Sequence, residues 1–268
     1  MDAALHGHRR GRPLRAGLPG AVVHTRAGLI DRPGIRVLLL DVEGTTTAVS
    51  FVYDVLFPFA RAHLREFLQA SADDRAVRGD VAALRAERRV EADPGAPEWP
   101  EGTVAESAAS AAAYAEWLMG RDRKSTALKS LQGRIWKGGY RSGALKSHVY
   151  PDVRPALERC RAQRRSVAIF SSGSVLAQRL LFEHTAEGDL TPLIHAYFDT
   201  TTGRKQAASS YRRIAEALRV APGAMLFVSD VPAELDAART AGLGTALCVR
   251  EGAAPAADHP VVRSFDEL

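Results

Sequence analysis

Ile35-Arg36-Val37-Leu38-Leu39-Leu40-Asp41 is a short apolar run that stops on a carboxylate, with Val42-Glu43-Gly44-Thr45 following at once. Similar runs occupy residues 166–171, 225–230 and 244–249, and a weaker one lies at 194–199. Apolar runs of this length, without polar alternation, suit strands buried on both faces in a parallel sheet. Helix-period stretches at about 152–165, 174–185, 206–219 and 232–241 separate them and supply the right-handed crossovers that parallel strands require. The alternation predicts an α/β protein built on an open, Rossmannoid parallel sheet.

Residues from about 52 to 149 break that rhythm. They hold no convincing strand, but Val55, Phe59, Leu64, Phe67 and Leu68 recur at helical spacing, as do Leu128, Leu131 and Ile135. An alanine-rich stretch at 105–118 ends on Tyr114, Trp117 and Leu118, and the proline- and glycine-rich 91–102 reads as a loop. The expected organisation is a basic tail at 1–34, an α/β core from 35–51 and 150–268, and an inserted helical cap at 52–149.

The chain has 268 residues and a net charge of +5. Residues 1–34 carry six arginines against two aspartates, so most of the basicity belongs to the tail. That distribution argues against a nucleic-acid-binding face. The tail shows no strand or helix period and is expected to be disordered and dispensable for activity. Arg9-Arg10 is followed by no apolar stretch of the kind an export signal needs, and no run is long enough to cross a bilayer. Cys160 and Cys248 have neither metal-ligand nor framework spacing, which predicts reduced core residues in a cytoplasmic protein.

The strand ends carry the chemistry. In order they present Asp41 and Glu43; Ser171-Ser172-Gly173-Ser174 opening a helix; Gly203-Arg204-Lys205 ahead of another; and Ser229-Asp230 with Glu234 beyond. Open parallel sheets place ligands at this edge. Hydroxyls and free N–H groups at a helix start cradle an anion, and a lysine beside them favours phosphate. The carboxylates would repel that phosphate unless a hard divalent cation lay between them. Together these parts describe phosphoryl transfer.

The ordered set Asp41-x-Glu43-Gly44-Thr45, Ser171, Lys205 and Asp230-x-x-x-Glu234 resembles the haloacid dehalogenase superfamily. Longer strings, residues 41–60 and 170–182 together with Gln132-Gly133-x-x-Trp136 and Tyr197-Phe198-Asp199-Thr200, are similar to the enolase-phosphatase E1 family of methionine salvage. The resemblance spans roughly 35–268. It implies a Mg²⁺-dependent enzyme, with one cation per subunit. Its substrate would be 2,3-diketo-5-methylthiopentyl 1-phosphate, which it enolises and then dephosphorylates to the acireductone.

By motif position, Asp41 is the implied nucleophile and Glu43 the acid and base. Ser171, Ser172 and Lys205 bind phosphate and nearby oxygens. Asp41, Glu43 and Asp230 hold the metal, Glu43 through its side chain or its backbone carbonyl. The implied partner is the small phosphorylated diketone alone, with no nucleic acid and no membrane, and the protein is a monomer. Two alternatives stand beside this reading: a superfamily phosphatase for another small phosphomonoester, and a Mg²⁺-binding phospho-acceptor receiver module.

Plainer roles are expected elsewhere. Ser174 suits an N-cap, and Glu234 a first-turn helix acid. Trp117, Trp136 and Tyr140 read as packing in the cap. Its cations (Arg121, Arg123, Lys124, Lys129, Arg134, Lys137, Arg141 and Lys146) look like a phosphate-attracting stripe, although on helices such charges usually form a solvated face.

Overall fold

A computed structural model of the chain describes residues 34–121 and 123–268; the basic tail, apart from Gly34, lies outside the described residues. Among the described residues six strands form one parallel sheet: β1 (Val37–Leu40), β2 (Ser166–Phe170), β3 (Ala196–Phe198), β4 (Met225–Ser229), β5 (Gly244–Cys248) and β6 (Val261–Val262). Their order is β3-β2-β1-β4-β5-β6. β1 is therefore central, and the chain winds to either side of it, with Val37 opposite both Ser166 and Met225. Parallel pairing brings the carboxyl ends of β1, β2 and β4 to one edge, and the change of winding direction opens a crevice there.

The expected strands are present, each one to three residues shorter than its apolar run. β6 was not anticipated, because two residues carry no readable pattern. Along β1 every residue is buried, and the pleat divides them between two layers. Leu38 and Leu40 join Val167, Ile169 and Val228 in a core that also takes in α5 (Val153–Ala162) and α6 (Val175–Glu183). Val37 and Leu39 join Phe170 and Phe227 against α7 (Ala208–Ala217) and α8 (Pro232–Thr240). Cys160 and Cys248 are buried free thiols, as expected.

Between β1 and α5 the chain is helical: α1 (Phe57–Ala70), α2 (Arg75–Arg89), α3 (Val104–Gly120) and α4 (Thr126–Arg141). Leu64, Leu68, Ala111, Tyr114, Leu131 and Ile135 pack these helices together, continuous with the core on the Leu38 side of the sheet. Capping side chains mark several starts. Asp74 accepts from two N–H groups of α2, and Thr103 with Glu106 forms a capping box on α3. One feature departs from the expected pattern. Residues Phe51–Leu56 form a π-helical turn ahead of α1, and Val55, placed by spacing on the apolar face, is 41% exposed. The wider turn rotates it outward, so helical spacing counted through it fails.

Candidate active site

The segment after β1 is a tight loop. The Val42 carbonyl accepts N–H bonds from Thr45, Thr46 and Thr47 at 3.2, 2.9 and 3.0 Å, and Gly44 takes φ +69°. A Cβ on Gly44 would lie 2.1 Å from Oδ2 of Asp230, so the missing side chain lets that carboxyl lie against the loop. Arg250 fixes the loop from behind, its guanidinium donating to the Thr45 carbonyl at 2.9 and 2.7 Å and pairing with Asp152 at 2.5 Å. The same guanidinium lies over the rings of Tyr150 and Phe265, 4.2 and 4.5 Å from their centroids.

Asp41 is 2% exposed. Its Oδ1 accepts the Val42 N–H at 2.7 Å and lies 2.6 Å from the Lys205 ammonium. Lys205 comes from the loop before α7, which Ser210 and Tyr211 of that helix pin by donating to the carbonyls of Arg204 and Lys205 at 2.7 and 2.6 Å. Its Nζ also lies 2.6 Å from Oε2 of Glu234. The Ser229 hydroxyl bridges the same two acids, 3.1 Å from Asp41 and 3.0 Å from Glu234. Across the site, Ser171 donates to Glu43 at 3.2 Å and accepts the Gly173 N–H at 3.0 Å. Ser174 caps α6 by accepting from Ala177, as expected.

Burial drives the electrostatics. Asp230 is pushed up to about 6, first by desolvation and then by the charge of Asp41. Glu234 is pushed up to about 7 by the same two causes, against the pull of Lys205. Glu43 is raised by burial and by Asp41. Burial pulls Lys205 down, but Asp41 and Glu234 outweigh it and the ammonium is held above its ordinary value. Among the described residues Lys205 is the cation in direct contact with this group of acids, pairing with Asp41 and Glu234, and the crowding of carboxyls is what a hard divalent cation relieves. The oxygen-only donor set fits magnesium.

Side chains alone do not form the cage, however. Among the described residues no cluster of three or more His, Cys, Asp or Glu side chains is spaced to hold a metal. The Glu43 carboxyl is turned to Ser171, so its backbone carbonyl is the Glu43 oxygen that could join Asp41 and Asp230 in holding one.

Asp41, Glu43, Ser171, Ser172, Lys205 and Asp230 all line one cavity of ≈ 760 Å³. Glu234, expected to be an ordinary helix acid, lines it too and is 8% exposed. The signal was available in its spacing, four residues after Asp230, which on a helix start turns the side chain back toward the strand end. The opposite wall is helical. Trp136 and Leu128 of α4, Met119 of α3 and Phe57 of α1 line it, with the Trp136 indole N–H anchored on the Leu56 carbonyl at 2.7 Å.

The cap cations are not all a solvated face. Arg123, Lys124 and Lys129 line the cavity, and Lys129 donates to the Ser172 carbonyl at 3.1 Å. Arg134 instead pairs with Asp80, and Arg121 covers the Trp117 ring.

A family model described as haloacid dehalogenase-like hydrolase matches residues 35–242, the class that this sheet and its carboxyl-edge acids define. A protein of Synechococcus elongatus named enolase-phosphatase E1 is 50% identical over 87% of this chain and 98% of its own length. Another of that name, from Sorangium cellulosum, is 49% identical over 87% of this chain and 97% of its own. The crystal structure of the UTR4 protein of Saccharomyces cerevisiae is 32% identical, with a TM-score of 0.71, over 87% of this chain and all of that one. The chain belongs to the enolase-phosphatase E1 family of haloacid dehalogenase-like hydrolases.

Proposed function

We propose that this chain is a bifunctional enolase-phosphatase of methionine salvage. It enolises 2,3-diketo-5-methylthiopentyl 1-phosphate and hydrolyses the phosphate to give the acireductone. The observation that carries the reading is the buried Asp41 held at the end of β1 by Lys205, with Glu43 on Ser171 beside it. That is a nucleophile fixed in place, with a carboxyl inclined to keep its proton within the same cavity.

In the phosphatase half, an Asp41 oxygen forms a bond to phosphorus as the bond from phosphorus to the substrate oxygen breaks. Glu43, raised by burial, gives its proton to that leaving oxygen. The Glu43 carboxylate then takes a proton from water, whose oxygen attacks phosphorus and releases Asp41 and inorganic phosphate. Lys205 and the Ser171–Ser172 turn stabilise the charge that builds on the phosphoryl oxygens. Asp41, Asp230 and the Glu43 carbonyl would hold Mg²⁺, which when bound supplies the charge that lets phosphate approach these acids. The helices between β1 and α5 act as a cap, at 52–149, over the 35–51 and 150–268 core, and exclude water from the enol. No helix among the described residues is long and apolar enough to cross a membrane. We take the enzyme to act as a cytoplasmic monomer.

The test is to incubate the purified chain with the diketone phosphate and Mg²⁺ while following enol absorbance and released phosphate, with Asp41→Asn as control. Both signals are expected from the native chain. Phosphate without enol product would mean a phosphatase for another substrate, and a phosphoryl group retained for minutes without turnover would mean a receiver module.

A further inference from the structure

Gln132-Gly133-x-x-Trp136 is a quoted string that the phosphoryl chemistry leaves without a role. It lies on α4, where Ser125, Leu128, Lys129, Gln132 and Trp136 all line the cavity opposite the sheet edge. Their spacing of three and four residues puts them on a single face of the helix. A Cβ on Gly133 would meet Leu176 at 3.2 Å, so this glycine sets α4 close against the start of α6. Lys129, at the near end of the stripe, touches the Ser172 carbonyl, which places that end of α4 at the phosphate-binding turn.

Gln132 is 6% exposed, lines the cavity, and has no hydrogen-bond partner for its side-chain amide among the described residues. Neither Oε1 nor Nε2 of Gln132 is among the sealed-off unpartnered polar atoms of the described residues, so the amide opens onto the cavity, where a ligand can meet it. Leu128 and Trp136 beside it are apolar or satisfied and Lys129 is engaged by the Ser172 carbonyl, so the amide is a polar group of this wall open to a ligand. One helical turn separates it from Lys129, about 5–6 Å between Cβ atoms. That separation matches the few bonds by which a 1-phosphate sets its 2- and 3-oxygens away from phosphorus.

We propose that Gln132 is a specificity-determining residue, its amide hydrogen-bonding a carbonyl or enol oxygen of the substrate while Leu128 and Trp136 flank the apolar end. The inference rests on the enolase-phosphatase reading. An amide donates through nitrogen and accepts through oxygen, so it serves both the diketone, which only accepts, and the enol, which also donates. A simple phosphomonoester offers it neither.

The test compares kcat/KM of the native chain and of Gln132→Met on the diketone phosphate and on p-nitrophenyl phosphate. The ratio between the two substrates is expected to fall about tenfold or more, the effect of a lost, buried hydrogen bond. An unchanged ratio in a folded variant overturns the proposal. Because Gln132→Met perturbs a buried position, a second measurement uses the native chain. A crystal soaked with a non-hydrolysable phosphonate analogue of the diketone should place the Gln132 amide within hydrogen-bond distance of an oxygen at carbon 2 or 3. An analogue bound at Asp41 with no contact to Gln132 overturns the proposal too. A native chain that yields no enol from the diketone phosphate refutes instead the reading on which the inference stands.

Discussion

The cavity has two walls of different construction. The sheet edge offers Asp41, Lys205 and Glu234, tied together at hydrogen-bond distances through Lys205 and Ser229, with Asp230 lining the same cavity. The helical wall offers Leu128, Trp136, Met119 and Gln132, and also carries Arg123, Lys124 and Lys129. One wall is a network of acids tied to Lys205, the other a largely apolar surface with polar groups set into it. The comparison teaches that reaction and selectivity sit on different elements, so substitutions on the two sides should fail differently: sheet-edge changes in turnover on every phosphomonoester, helical-wall changes in the choice among them.

The hardest test of that division is Asp41→Asn. An amide cannot form the bond to phosphorus, and turnover should fall by about four orders of magnitude on the diketone phosphate and on p-nitrophenyl phosphate alike. Steady-state kinetics on both would check it. A loss on one substrate alone would break the division.

Lys205→Met should come next, with a loss of about 10²–10³-fold in kcat, the usual effect of removing one charged stabiliser of the transition state. It also strips Asp41 and Glu234 of their shared cation. The loss should therefore again be common to both substrates. Lysine analogues differing in reach, such as Arg, should not restore it, because the ammonium bridges two acids at a single point.

Arg250→Met tests the support behind the sheet edge. Arg250 and Asp152 are 8% and 13% exposed at the side chain, and breaking a pair so buried leaves Asp152 uncompensated. We expect a stability loss of about 3 kcal/mol, read by urea denaturation. Turnover should fall as well, since the Thr45 carbonyl loses its anchor.

These residues differ in how plainly the sequence displayed them. The sheet edge was legible because each acid, hydroxyl or lysine ends or follows an apolar run, and parallel topology brings such ends together. Glu234 was underread, since a first-turn acid has an ordinary explanation in the helix dipole. Val55 was misread because a π-helical turn breaks the 3.6-residue count. Lys129 and Gln132 were the least accessible to sequence reasoning: a helix pattern tells which face is apolar, but not which neighbour that face meets. That depends on how α4 approaches α6, a tertiary fact.

A fourth test concerns charge at the sheet edge. Asp230 and Glu234 are pushed up to about 6 and about 7, against roughly 4 for an unfolded carboxyl. Between those values the folded chain binds more protons than the unfolded one. Stability of the magnesium-free chain should therefore fall as pH rises from about 5 to 7.5. Thermal unfolding in EDTA at the two pH values measures the slope, and Asp230→Asn should flatten it. Added magnesium should raise Tm more at the higher pH, where the acids are ionised. An identical slope in Asp230→Asn would mean that Lys205 already balances the cluster.

The smallest expected effects lie in the helical wall, where Gly138 and Gly139 are neighbours on α4 with opposite surroundings. A Cβ on Gly139 would meet the Phe59 ring at 2.6 Å and Leu145 at 2.9 Å, whereas one on Gly138 would meet nothing within 4 Å. Alanine is favoured over glycine inside a helix by about 1 kcal/mol, so Gly138→Ala should stabilise by up to that amount. Gly139→Ala gains the same propensity but forces α4 away from α1, at a cost of about 1–3 kcal/mol for overpacking. Its net effect should be a loss of about 1 kcal/mol. The kinetic consequence bears directly on the two walls. Moving α4 shifts Gln132 and Trp136 but not Asp41, so Gly139→Ala should lower kcat/KM for the diketone phosphate more than for p-nitrophenyl phosphate. Gly138→Ala should change neither, and equal losses on the two substrates in Gly139→Ala would show that the helical wall holds the sheet edge in place as well as the substrate.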